Sequence, residues 1–86
     1  MSLSELAALL LDVTGEEREW AARVTPAARL EEDLRLDSVE LAALGDLLRR
    51  RCGDGVDLPG YVAGLSIDDI IRLTVGDVLA YLARCA

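Results

Sequence analysis

Few residues in this chain could do chemistry, and the pair Asp37-Ser38 has the most informative surroundings. Downstream of it Leu41, Leu44 and Leu48 recur at spacings of three and four, with Leu47 beside them. That is the apolar stripe of an amphipathic helix. Asp37 with Glu40 three residues later has the spacing of a capping box, with Asp in place of Ser or Thr. The pattern predicts a helix over about 38–51 that begins at Ser38. The serine hydroxyl is then left in the first turn, near unpaired backbone N–H groups and the positive end of the helix dipole. A phosphate attached there would meet the favourable end of that dipole.

The other candidates have simpler readings. Asp68-Asp69 could suggest a metal or acid/base pair, but in the first turn of a short helix they read as dipole partners. Cys52 and Cys85 are too far apart for a metal-ligand motif and are expected as buried reduced thiols near helix ends, a disulfide between them being the alternative. Arg49-Arg50-Arg51 falls at a helix C-terminus, where cations complement the dipole, and it competes as a recognition element. Trp20 is expected to cover an edge of the core. The chain has no histidine, which removes the commonest general base and metal ligand. With no paired nucleophile and base either, an enzyme is not expected.

Positioning these groups requires a small helical scaffold. Eighty-six residues make one domain, 1–86, and 52% hydrophobic residues with only 3% aromatics imply a core of Leu, Val, Ile and Ala. Net charge is −7, from 16 acids against nine arginines. Such a chain repels phosphate backbones, so a small helical DNA-binding domain, suggested by the arginine triplet, is disfavoured. No apolar run reaches the roughly 18 residues of a membrane span, and no basic leader precedes Leu6–Leu11. A cytoplasmic monomer is expected.

In chain order, residues 3–13 read as a first helix that Ser2 or Ser4 can cap, Ser2 making a capping box with Glu5, and that buries Leu6, Leu9, Leu10 and Val13. Thr14-Gly15 ends it, and Thr14 with Glu17 could cap a short turn around Trp20. Residues 25–36 read as a loop anchored by Leu30, Leu34 and Leu36, with Glu31, Glu32 and Asp33 on the surface. Gly45 inside the main helix suggests close approach of a neighbour. The glycine-rich stretch 53–65 reads as loop, pinned by Tyr61 and Val62. Ser66 with Asp69 starts a short helix at about 67–72 that uses Ile67, Ile70 and Ile71. Thr74 with Asp77 caps a last helix whose stripe is Val75, Val78, Leu79 and Leu82, with Tyr81 at its border. The sum is an all-α fold of three longer helices and one short one, with a long connection before the second. No period-2 strand signal or internal repeat is present.

Three segments together resemble the acyl carrier protein family. Leu30-Glu31-Glu32-Asp33-Leu34-Arg35-Leu36-Asp37-Ser38-Val39-Glu40-Leu41 is similar to that family's phosphopantetheine attachment signature. Leu73-Thr74-Val75-Gly76-Asp77-Val78-Leu79-Ala80-Tyr81-Leu82 resembles the start of its last helix, and Val24-Thr25-Pro26 the opening of its long first loop. Asp-Ser before a helix is weak alone, since capping explains it. The three segments in this order are a far more specific signal.

The resemblance implies a small four-helix bundle of acyl-carrier type. It implies that Ser38 accepts 4'-phosphopantetheine from coenzyme A and that the arm's thiol holds acyl or aminoacyl groups as thioesters. Asp37 would then help position the metal ion of a phosphopantetheinyl transferase, and Val39 and Ala42 would form the apolar part of a docking face. An acyl- or aminoacyl-loading enzyme and downstream synthase or tailoring enzymes are the further partners implied. The chain departs from the family in three places. Arg35 stands where glycine is common, so the backbone there is not expected to need positive φ. Arg49, Arg50 and Arg51 replace residues often acidic in fatty-acid carriers, which suggests dedicated partners. Leu58 to Leu73 is longer than usual, so the third helix is expected to shift. These differences suit a free-standing carrier of specialised polyketide or mixed peptide–polyketide biosynthesis. An unmodified helical interaction module with the same fold is the alternative.

Overall fold

Reciprocal caps set where the longer helices begin. In the computed structural model, which describes residues 1–85, Ser2 accepts from the Glu5 N–H while the Glu5 carboxylate accepts from the Ser2 N–H, and α1 runs Leu3–Thr14. A 3-10 helix follows at Arg18–Arg23. The Asp37/Glu40 pair opens α2, Ser38–Cys52, in the same reciprocal way. Next come α3, Leu58–Ala63, and α4, Ile67–Arg72. Thr74 and Asp77 exchange cap hydrogen bonds at the start of α5, Val75–Cys85. The chain is all-α; the described residues contain no named strand, only an isolated bridge between Arg29 and Thr74.

One apolar core unites these elements. Leu6, Leu9 and Leu10 of α1, Leu44 and Leu48 of α2, and Val75, Val78 and Leu82 of α5 are buried in it. The long loop contributes Val24, Ala28, Leu30, Leu34 and Leu36, so its expected leucine anchors do point inward. Trp20 packs on the core's edge. The loop is tied to α5 through backbone: Leu30 donates to the Leu73 carbonyl, Val75 to Ala28 and Gly76 to Pro26. A Cβ at Gly76 would lie 3.0 Å from the Pro26 carbonyl oxygen, so a side chain there would push the two segments apart.

Several expectations need correction. Residues 58–63 are helix rather than loop: the Asp57 carboxylate accepts from the Gly60 N–H, and Pro59 occupies the first turn, where no intrahelical donor is required. Thr14 does not cap the Trp20 segment. It stays in the last turn of α1, where its hydroxyl donates to the Leu10 carbonyl, and Glu17 occupies the cap position without a side-chain bond. Val13 and Leu79 are half-buried. The isoleucines of α4 do not form a buried stripe: Ile67 is 77% exposed and Ile71 43%, and only Ile70 turns partly inward. Ile67 and Ile71 are one helical repeat apart, so they share the outward face of a helix too short to wrap the core. Both cysteines are free thiols, Cys52 exposed and Cys85 half-buried; Cys52 is thus not a core residue.

Two outcomes follow from this packing. Leu44 is fully buried, so Leu44→Ala should destabilise the fold by about 2–5 kcal/mol in denaturant melts, whereas Ile67→Ala should stay within about 0.5 kcal/mol. Ser2 hydrogen bonds, backbone first and then side chain, hold the Glu5 carboxyl below its ordinary range, with Arg51 adding to the effect. Stability from Glu5 is therefore present above its unfolded pKa and lost as pH falls through the folded one. Carboxyl titration by NMR should find Glu5 low in the native chain and only partly raised in Ser2→Ala, which loses the hydroxyl but keeps the backbone N–H that is the larger cause.

Candidate functional site

The first turn of α2 carries the group the sequence singles out. Asp37 and Glu40 satisfy each other's backbone N–H groups at 2.7 and 3.1 Å, so the cap is complete without the Ser38 side chain. Ser38 itself is exposed. It is one of the residues lining an apolar groove of about 170 Å³, with Leu41 and Ala42 of α2 and Leu58, Pro59 and Val62 of α3. Its volume is comparable with that of an enclosed apolar cavity that admits benzene, but this groove is open to solvent. A larger hollow of about 520 Å³ opens between the 3-10 helix and the long loop, among Glu16, Glu17, Trp20 and Asp33, and does not include Ser38.

The walls of the groove are set by close contacts. A Cβ at Gly45 would come within 3.0 Å of Pro59 Cδ and 3.5 Å of Leu58 Cβ, so glycine is what lets α3 lie against α2. On the opposite side, the Asp57 N–H donates to the Tyr81 hydroxyl at 2.8 Å, and the Tyr61 and Tyr81 rings stack with centroids 4.4 Å apart. The Asp57 N–H favours the Tyr81 phenolate, but desolvation and the neighbouring Cys85 and Asp57 outweigh it and raise the phenol above its ordinary pKa.

The other residues singled out divide between the two ends of α2. Val39 is 75% exposed beside Ser38 but does not line the groove; Ala42 does. Arg49 shares a second hollow with Ala42, Gly45 and Pro59, and so lies on the same side of α2 as the groove. Arg49 and Arg50 both pair with Asp46, and Arg51 with Glu5, all through exposed side chains whose mutual attraction solvent largely screens. Asp68 and Asp69 sit in the first turn of α4, and the described residues hold no cluster of metal-ligating type. No described helix is long and apolar enough to cross a membrane. Sequence reasoning missed α3 as a wall of the groove; the signal was Asp57 followed by Pro59 at the second helical position.

Arg35, three residues before Ser38, corrects a further expectation. It has φ 56, the one non-glycine residue with positive φ among those described. The chain must reverse there because Asp33 and Leu34 both donate to the Arg29 carbonyl and Leu36 donates to Leu30, while Leu34 and Leu36 are both buried. The left-handed geometry is thus required by loop closure even though the residue is arginine.

No family model, curated protein or solved structure matches this chain.

Arg35→Gly should remove about 1–2 kcal/mol of left-handed strain against about 0.5–1 kcal/mol of added chain entropy. Chemical denaturation should therefore show a variant of equal or slightly higher stability. A clear loss would mean that the arginine side chain itself holds the loop.

Proposed function

We propose that this protein is a carrier, of acyl-carrier-protein type, in which Ser38 bears a 4'-phosphopantetheine arm holding an acyl or aminoacyl group as a thioester. The observation that carries the reading is the exposed Ser38 hydroxyl at the edge of an apolar groove, on a helix cap that does not use it. In attachment, the Ser38 oxygen loses its proton and forms one O–P bond as the phosphoanhydride of coenzyme A breaks and the nucleotide portion leaves. The arm supplies the thiol that forms the thioester; the chain supplies the attachment point, the groove and the recognition surface. The residues present suit such a group: the phosphate would sit at the positive end of α2, and the apolar groove offers a place for part of the cargo.

Asp37 caps α2 and would orient the transferase's metal ion from an exposed position. Val39 and Ala42 form the apolar part of the docking face, and Arg49 and Arg50 give it a basic far end, about 16 Å away at 1.5 Å per residue. Such a face suits dedicated partners: a phosphopantetheinyl transferase, a loading enzyme, and synthase or tailoring enzymes of specialised polyketide or mixed peptide–polyketide biosynthesis. Under this reading the carrier is a cytoplasmic monomer, binds no nucleic acid and catalyses nothing alone. An unmodified interaction module is the second reading, favoured by the exposed Val39, Ile67 and Ile71.

Intact mass after incubation with coenzyme A, magnesium and a broad-specificity transferase separates the two. The carrier gains one phosphopantetheinyl group, and Ser38→Ala gains none while keeping its helical circular dichroism. A folded protein that several transferases leave unmodified would favour the interaction module.

A further inference from the structure

We infer that Tyr81, with Asp57 and Gly45, sets the size of the apolar group that the groove beside Ser38 accepts. None of the three lines that groove; each acts on α3, which forms one wall of it. The wall is a six-residue helix containing Pro59 and Gly60, too short to hold its own conformation. Its position is therefore imposed from outside. On the α2 side the absent side chain of Gly45 lets Pro59 and Leu58 approach, and this sets how near the wall can come. On the α5 side two contacts limit how far it can retreat. The Tyr81 hydroxyl accepts from the Asp57 N–H, and the Tyr81 ring stacks on Tyr61, in the same turn as Leu58 and Val62. Asp57 completes the link, because its carboxylate accepts from the Gly60 N–H and its carbonyl from the Tyr61 N–H.

A wall held from both sides makes a groove of fixed width. At about 170 Å³ that groove has room for a benzene-sized ring or a short alkyl segment; it is open to solvent, so the spacing of α2 and α3 rather than an enclosed volume limits what lies between them. The occupant is the apolar end of the group carried on Ser38, which rests on the carrier reading. The calibration by Tyr81, Asp57 and Gly45 can be tested without it.

The test uses the unmodified full chain, its Tyr81→Phe and Gly45→Ala variants, and two probes, benzene and naphthalene, followed by NMR of the Leu41, Leu58 and Val62 methyl groups. In the native protein benzene should shift these methyls and naphthalene should not. Tyr81→Phe keeps the ring stack and loses the hydroxyl acceptor. Its Asp57, Gly60 and Tyr61 amides should exchange about tenfold faster, the equivalent of one net hydrogen bond, with the Leu44 and Leu48 amides unchanged. Naphthalene should then enter. Gly45→Ala should also admit naphthalene, by displacing Pro59 with the Tyr81 hydrogen bond intact, and it decides the matter should Tyr81→Phe not fold. The inference is overturned if the native groove takes both probes equally or takes neither. Faster α3 exchange in Tyr81→Phe with the probe preference unchanged also overturns it, since Tyr81 would then be structural only. Because no step involves Ser38 modification, a groove that behaves as stated in a chain that transferases ignore would count against the carrier reading alone.

Discussion

The structure depends on a short backbone seam between the long loop and the start of the last helix. Three hydrogen bonds make it: Leu30 to Leu73, Val75 to Ala28, and Gly76 to Pro26. The first N–H groups of any helix lack intrahelical partners, and two of those in α5 find them here in loop carbonyls. In return the loop, which must bury Val24, Ala28, Leu30, Leu34 and Leu36, does not leave its own backbone unpaired. A loop with five buried side chains has a determined path, and the path ends at Leu36, whose N–H is bound to the Leu30 carbonyl. The next residue is the cap of α2. The position of Ser38 is thus tied through the loop to α5, a helix more than thirty residues further along the chain.

The second half of the molecule solves a different problem. α3 and α4 have six residues each, and neither has enough intrahelical bonds to persist alone. α3 is held by burial of Leu58, by the glycine gap in α2 and by the hydroxyl of Tyr81. α4 has less: one half-buried isoleucine, a serine cap, and Leu73 at its end anchored in the core and the seam. This asymmetry explains why apolar surface remains on α4. A one-and-a-half-turn helix fixed at its C-terminal end can turn only one face inward, and its other isoleucines stay in water.

What was legible in the sequence is what is decided locally. Ser2 with Glu5, Asp37 with Glu40 and Thr74 with Asp77 all cap as their spacing predicts, because both partners lie within one turn and no distant group competes. Thr14 with Glu17 has the same spacing and fails, since α1 continues through Thr14 and its hydroxyl bonds back to Leu10. Where distant contacts decide, local signals mislead. Gly60 argues against a helix at 58–63, but burial of Leu58 and the Tyr81 contact outweigh its propensity cost, and Gly64 only ends the helix. Arginine argues against positive φ at position 35, but hydrogen bonds on both sides of the turn force it. Of the candidate site, the Asp37 cap and the first-turn place of Ser38 were readable from α2 alone, while Ala42 came only with the resemblance. The opposite wall was not, because its place depends on a tyrosine twenty-four residues after Asp57.

Separation of support from chemistry gives the site its character. The cap of α2 is made by Asp37 and Glu40, the core beneath it by Leu44 and Leu48, and the wall of the groove is braced from α5. None of these uses the Ser38 hydroxyl. A residue kept for stability would be expected to contribute to one of them, as the hydroxyls of Ser2, Ser66 and Thr74 do at their own helices. Ser4, in the first turn of α1, likewise caps nothing; what sets Ser38 apart from it is the apolar groove beside it. A fold alone does not assign a function, so the weight rests on this local contrast. The rigid parts converge on a side chain that they do not need, and this leaves the Ser38 hydroxyl free for the modification proposed for it.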